Sequence, residues 1–188
     1  ISSAGGGDTT IQVPTSWEEK ELTTFQLIIK GLLGGHSGVD IHLPRLNAIK
    51  TALLILTRLE REVALFLGSI NGGTAHNAIP RAVTLELGVP VEHTKKFKQI
   101  VENWRDQIIQ EYKETEPTLT ILYEPIKRKR KKFLSQETTK KLLHLLEELP
   151  HGVLAYSTEI DGLVQTSNNS ALIKTTDEKI EIHLSTRS

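Results

Sequence analysis

Leu46-Asn47-Ala48-Ile49-Lys50-Thr51-Ala52-Leu53-Leu54-Ile55-Leu56-Thr57-Arg58-Leu59-Glu60-Arg61-Glu62 runs directly into Val63-Ala64-Leu65-Phe66-Leu67-Gly68-Ser69-Ile70. In the first stretch Leu46, Ile49, Leu53, Leu56 and Leu59 recur at three-to-four spacing, which draws one apolar stripe along a helix. Pro44 suits the start of that helix, where a missing N–H costs nothing. The second stretch is a short apolar run stopped by Asn71-Gly72-Gly73-Thr74, and it reads as a strand closed by a turn.

Working outward, Thr23 to Lys30 has strand composition, and Ala82 to Val89 alternates with Val83, Leu85 and Leu87 on one face. A second helix is expected over Thr94 to Glu114, striped by Phe97, Ile100, Val101, Trp104, Ile108 and Tyr112 and stopped by Pro117. Leu119 to Tyr123 reads as a fourth strand. The order strand, helix, strand, strand, helix, strand over residues 22–126 describes an α+β fold. It is a two-layer sandwich, a four-stranded antiparallel sheet with two helices on one face. Each helix has a single stripe, as packing on one sheet face requires. The stripe residues are core, not a cofactor box.

Residues 127–188 read as a basic loop followed by a partial second helix-and-hairpin unit. Its helix is expected over Gln136 to Leu149, with Ser135 as N-cap and Glu137 in the first turn. Pro150-His151-Gly152 ends it, Leu163 to Thr166 is extended, and Ala171 to Thr175 pairs with Lys179 to Leu184 across Asp177-Glu178. No closing elements are visible, so the unit reads as incomplete after Ser188. At the other end Ile1 to Thr10 reads as a Gly/Ser-rich loop, Ile11 to Pro14 as a short strand and Trp17 to Glu21 as a charged link. Residues 1–21 are thus expected to be a connector.

The chain has 188 residues, 38% of them hydrophobic, which suits one domain or one domain and part of a second. Its 23 basic and 23 acidic side chains cancel, so nothing global points to nucleic acid or an anionic membrane. The strongly apolar stretch near Ala52 to Leu56 is far too short to span a bilayer, and Ile1 to Thr10 is no signal peptide. With no cysteine there is neither a disulfide framework nor a thiolate metal site, which fits a reducing, cytoplasmic setting. Methionine is absent as well, even at position 1, so the chain reads as an internal piece of a longer polypeptide.

Two segments carry chemistry. In Gly34-Gly35-His36-Ser37-Gly38-Val39-Asp40-Ile41-His42 the glycines let an imidazole approach a ligand closely, and an imidazole can donate to a developing oxyanion. The plainer reading is a surface histidine in a mobile loop. His36, Asp40 and His42 also suggest metal ligation, but no Glu or Cys completes the set and Pro44 follows at once. In Asn71-Gly72-Gly73-Thr74-Ala75-His76-Asn77-Ala78-Ile79-Pro80-Arg81, Asn77 offers a donor and an acceptor to a peptide or carboxylate. Its plainer reading is turn chemistry, since Asn tolerates the left-handed region. The run Lys127 to Lys132 has six consecutive cations that could neutralise phosphates. No aromatic but Phe133 accompanies it, and a solvated loop is the simpler reading. Salt-sensitive retention on a nucleic-acid column separates the two.

Taken together, GLLGGHSGVDIH, RLNAIK and INGGTAHNAIPRA resemble the Xaa-His dipeptidases (aminoacyl-histidine dipeptidases) of the di-zinc exopeptidase family, which also holds carnosinases and aminoacylases. SAGGGDTT resembles the segment after the last metal-binding Asp in the first half of that family's catalytic domain. HGVLAYSTEIDGLVQTSNNSALIKT, ending in STRS, resembles its later lid segment. The resemblance covers nearly the whole chain in the right order and implies a lid/dimerisation region. It implies that His36 stabilises the oxyanion of the scissile carbonyl, in its own or the partner's subunit. It implies that Asn77 helps hold the substrate and that Arg187 grips its carboxylate, for which a guanidinium fork is suited. Without the resemblance Arg187 reads as an exposed strand residue.

The family's metal ligands and its general-base Glu have no counterpart motif here. The resemblance therefore implies zinc or another divalent metal in the full-length enzyme and none bound by this piece, which alone is expected to be inactive. Expected partners are a dipeptide substrate such as carnosine, the catalytic domain of the same chain, and a second copy in a homodimer, with no nucleic acid and no membrane. The alternative function is a purely structural dimerisation module, and a third is a nucleic-acid-binding α+β domain that uses the basic run.

Overall fold

A computed structural model of the chain describes residues 5–126 and 132–188. In chain order the elements are β1 (Gly6–Pro14), β2 (Trp17–Glu19), β3 (Thr23–Lys30), β4 (Gly35–His36), α1 (Ala48–Glu62), β5 (Phe66–Gly72), β6 (Ala78–Ile79) and β7 (Val83–Val89). A 3-10 turn at Val91–His93 leads into α2 (Thr94–Tyr112), followed by β8 (Thr120–Pro125), β9 (Lys132–Leu134), α3 (Gln136–Glu148), β10 (Gly152–Tyr156), β11 (Val164–Thr175) and β12 (Lys179–Arg187).

The four expected strands are β3, β5, β7 and β8, paired antiparallel in the order β5-β7-β3-β8. Phe25, Leu27 and Ile29 of β3 and Val83, Leu85 and Leu87 of β7 point inward and are buried. Gln26, Ile28, Thr84 and Glu86, on the opposite face, are only half-buried. The inward set forms one core with Ala52, Leu56 and Leu59 of α1 and Phe97, Val101 and Ile108 of α2. Both helices therefore cover a single face, as their stripes require. Phe25 and Phe97 stack at 4.6 Å between ring centroids, and Tyr123 meets each edge-on at 6.2 Å. Full burial of such a side chain contributes roughly 1.5–3 kcal/mol, so this trio pins α2 to β3 and β8. The first helix starts after Asn47 rather than at Leu46, because the Asn47 side chain accepts from Ile49 N at 2.9 Å and acts as N-cap.

The rest of the chain widens the same sheet. The third helix begins at its expected cap, with Ser135 Oγ accepting from Thr138 N, and packs Leu142, Leu143 and Leu146 into the common core. Strand β11 pairs with β5 through Ile173 and Lys174, takes β10 along its first half, and pairs with β12 on its other edge. β1 then closes the outer side, in register from Gly6 opposite Arg187 to Pro14 opposite Lys179. Gly6 to Thr10 is thus a strand and not the expected loop. A glycine strand carries no side-chain pattern, and its partner lies at the far end of the sequence. The expected connector also supplies β2, which pairs with β9, and the unit expected to lack closing elements is closed by β1 and β5. Leu163–Thr166 and Ala171–Thr175 are not separate extended pieces: from Val164 onward they form one continuous strand through the polar Ser167–Ser170. The reading of the basic run falls on residues 127–131, outside the described residues. Its last member, Lys132, holds Nζ 5.1 Å from the Trp17 ring centroid and 3.6 Å from Asp177 Oδ1. Among the described residues no helix is long and apolar enough to cross a membrane.

Candidate functional site

The histidine turn is built by its glycines. Gly34 has φ +60° and Gly35 φ +150°, backbone that side-chain-bearing residues rarely adopt. A Cβ at Gly34 would lie 2.4 Å from Arg81 Cγ, and one at Gly35 would lie 2.7 Å from Asp40 Oδ2. The turn is closed by His36 N donating to Asp40 Oδ2 at 2.8 Å and Asp40 N donating to the His36 carbonyl at 2.8 Å. Gly38 N donates to His36 Nδ1 at 3.0 Å. A backbone N–H can only donate, so Nδ1 is the acceptor and the neutral ring carries its proton on Nε2. His36 is exposed, and the ordered turn thereby leaves an N–H donor for a ligand. The turn is thus held by hydrogen bonds of its own.

The base of the turn is held by a residue the sequence did not single out. Glu116 is 2% exposed, and its two carboxylate oxygens accept from Leu33 N at 2.7 Å and Leu46 N at 2.9 Å. One carboxylate thus ties together both ends of the segment that carries His36. Arg45 Nη1 donating to the Gly34 carbonyl at 2.5 Å, and Arg81 Nε donating to that of Leu32 at 3.1 Å, add two further ties. The only sequence signal was an acid placed just before Pro117.

The other two candidates lie against this turn. Strand β4 pairs with β6, His36 opposite Ala78, and Ser37 N donates to the Asn77 carbonyl at 2.8 Å. The half-buried Asn77 side chain makes no hydrogen bond among the described residues. Arg187 arrives from the end of β12. A Cβ on Gly38 would lie 2.7 Å from its Nε, so the guanidinium rests against the turn. That Nε is buried without a hydrogen-bond partner among the described residues, and no carboxylate pairs with the side chain. Ser167 and Asn169, with Ser185 across the ladder, lie on the Arg187 side of the sheet and are buried. Asn169 Nδ2 donates to the Ala78 carbonyl at 2.9 Å and moors the β4–β6 ladder to β11. His36, Asn77 and Arg187, far apart in sequence, therefore share one neighbourhood. Asp40 spends one oxygen on the turn, His42 is exposed, and among the described residues no group of three or more acidic, His or Cys side chains could hold a metal ion.

A second polar node lies at the start of α1. Asn47 Nδ2 donates to the Ser170 carbonyl at 2.8 Å and lies 3.3 Å from His151 Nδ1. Lys50 Nζ caps the C-terminal end of α3 through the Leu146 and Leu149 carbonyls, each at 2.5 Å. Burial, and then the charge of Lys50, push His151 down to about 4. Burial also lowers Lys50, against the opposing pull of Glu147. This node joins α1, α3 and β11 and does not touch the His36 turn.

Residues 27–116 match the family described as peptidase dimerisation domain. The chain is 34% identical over 176 residues to the cytosol non-specific dipeptidase of Escherichia coli (strain K12), covering 94% of this chain and 35% of that protein. It is also similar to the crystal structure of aminoacylhistidine dipeptidase from Vibrio alginolyticus, with a TM-score of 0.94 and 29% identity, over 98% of this chain and 38% of that one. The chain thus spans little more than a third of the length of either relative.

Proposed function

Since residues 27–116 match the peptidase dimerisation domain family, we propose that the chain is the lid and dimerisation region of a metal-dependent dipeptidase acting on Xaa-His dipeptides such as carnosine. The observation that carries this reading is the meeting of His36, Asn77 and Arg187 at one turn. In this proposal His36 Nε2–H donates to the oxygen of the scissile carbonyl as charge develops on it. Asn77 holds the substrate through its uncommitted amide, and the unpaired Arg187 guanidinium takes the carboxylate in a forked pair. Zinc or another divalent ion in the catalytic domain supplies the activated water, with ligands outside the described residues. The preference for a C-terminal histidine draws support from the name of the Vibrio alginolyticus relative, whereas the Escherichia coli relative is named non-specific. The enzyme works in the cytoplasm as a homodimer in this proposal, and residues 1–188 alone are inactive.

The test is His36→Ala in the full-length enzyme. An oxyanion donor acts mainly in the transition state, so kcat should fall on the order of a hundredfold to a thousandfold, with little rise in KM and no loss of metal. An unchanged kcat sinks the oxyanion role, and loss of metal would restore the ligand reading of His36. Asn77→Ala should act more through KM.

A further inference from the structure

Large apolar side chains are rarely left in water on a well-ordered turn without a partner. Leu154, Tyr156, Ile160 and Leu163 are 51%, 53%, 58% and 49% exposed, all within the hairpin that joins β10 to β11. The hairpin is ordered. Ser157 N donates to the Leu163 carbonyl at 2.8 Å, and Ser157 Oγ accepts from Glu159 N and Ile160 N, each at 3.2 Å. A solvated linker would be expected to carry polar residues here. This tip is folded to present apolar ones.

Its position indicates the occupant. Tyr156 lies opposite Val164, and two residues along β11 Thr166 Oγ1 is 3.1 Å from Ser188 Oγ. Ser188 in turn exchanges backbone hydrogen bonds with Gly5, at 2.7 and 3.2 Å. The tip, Gly5 and Ser188 therefore share one end of the sheet. Arg187 is at the same end, with Gly38 against it, and the next residue of that turn, Val39, is 65% exposed. In both relatives more than half of the polypeptide lies outside the matched stretch.

We propose that the 154–163 tip is a docking surface for the catalytic domain of the same polypeptide, the part that in both relatives lies outside the matched stretch. The proposal rests on the dipeptidase reading above. Leu154, Tyr156, Ile160 and Leu163 fit an apolar patch on that domain, next to the grip formed by His36 and Arg187. A substrate held in that grip is then enclosed between the two. The acidic Glu159 and Asp161 within the tip, both exposed, argue against an anionic membrane as the occupant.

The experiment places a photo-reactive benzophenone amino acid at position 156 of the full-length protein, where the exposed Tyr156 tolerates substitution. Irradiation should link position 156 to peptides of the same molecule outside residues 1–188. Links into residues 1–188 of a second copy, links to lipid, or no links at all overturn the proposal. As an independent arm, Ile160→Asp should speed amide exchange in residues 157–163 about tenfold, while the β3 and β7 amides stay unchanged. Unaltered exchange counts equally against docking. Crosslinking does not depend on turnover. A crosslinked protein without dipeptidase activity would leave docking standing and sink the catalytic reading, and an active protein without crosslinks would do the reverse.

Discussion

Replacing Glu116 should loosen the His36 turn more than any substitution within the turn that leaves its glycines in place. The carboxylate is 2% exposed and accepts from Leu33 N and Leu46 N at 2.7 and 2.9 Å. Hydrogen bonds to a charged group contribute roughly 1.5–3 kcal/mol each. Glu116→Ala loses both, but it also removes the cost of burying a carboxylate that has no salt-bridge partner among the described residues, so the smaller end of the range applies. Leu33 is 39% exposed, so its freed N–H can find water, whereas Leu46 is half-buried and its N–H is harder to satisfy. The net loss should be about 2–4 kcal/mol, and for a domain of this size each kcal/mol lowers Tm by roughly 2–4 °C. Glu116→Gln should recover little, because its NH2 would face one of the two N–H groups. The assay is thermal unfolding together with amide exchange at Leu33 and Leu46. A Tm within about 2 °C of the wild type, with both amides still protected, would refute the view that one carboxylate holds both ends of the turn.

Three further outcomes can be checked. His151 is held down to about 4 in the folded chain against 6.5 in the unfolded one. The unfolded state therefore binds more protons between those values, and stability is full above about pH 6.5 and falls as pH drops toward 4. With the node half-buried the loss should be about 2 kcal/mol, below the roughly 3 that the whole shift would give. Urea midpoints from pH 7 to pH 4 should show this slope, and His151→Gln should remove that part of it. Asn47→Ala removes the α1 cap and leaves the Ser170 carbonyl without its donor. It should cost about 2–3 kcal/mol, and a urea midpoint unchanged from the parent would show that the cap is replaceable by water. Gly38→Ala puts a methyl group 2.7 Å from Arg187 Nε. The side chain can move aside, so the fold should survive while KM for dipeptides rises in the full-length enzyme. An unaltered KM would separate Arg187 from the substrate.

The four-strand part of the sheet was legible because its side chains alternate or stripe, and those patterns follow from burial on one face. In the outer part the third helix, its Ser135 cap and the 171–184 hairpin were also legible, but the start of β1 and the middle of β11 were not, for two physical reasons. β1 pairs through backbone alone at Gly6 and Gly7, and no residue type announces a partner at the other end of the chain. β11 passes through Ser167, Asn168, Asn169 and Ser170, a polar run without a strand pattern that is nonetheless buried. These side chains are tolerated inside because Asn168 Nδ2 reaches the Pro150 carbonyl at 2.6 Å, Thr186 Oγ1 donates to Asn168 Oδ1 at 2.8 Å, and Asn169 holds Ala78. A strand whose buried side chains are polar has no hydrophobic period to detect.

The same outer strands complete the candidate site. His36 and Asn77 belong to the four-strand unit, and a short ladder between neighbouring loops is enough to bring them together. Arg187 belongs to β12 and reaches the turn because β11 and β12 extend the sheet beyond β5, which sets its guanidinium against Gly38. Removing the hairpin would take away both the Arg187 cation and the Asn169 tie to Ala78, while the turn's own hydrogen bonds do not depend on it. A grip on a neutral carbonyl would survive that loss, but a grip on a carboxylate would not. In the proposed function the β11–β12 hairpin is therefore the element that would suit the site to substrates ending in a free carboxylate, as dipeptides do.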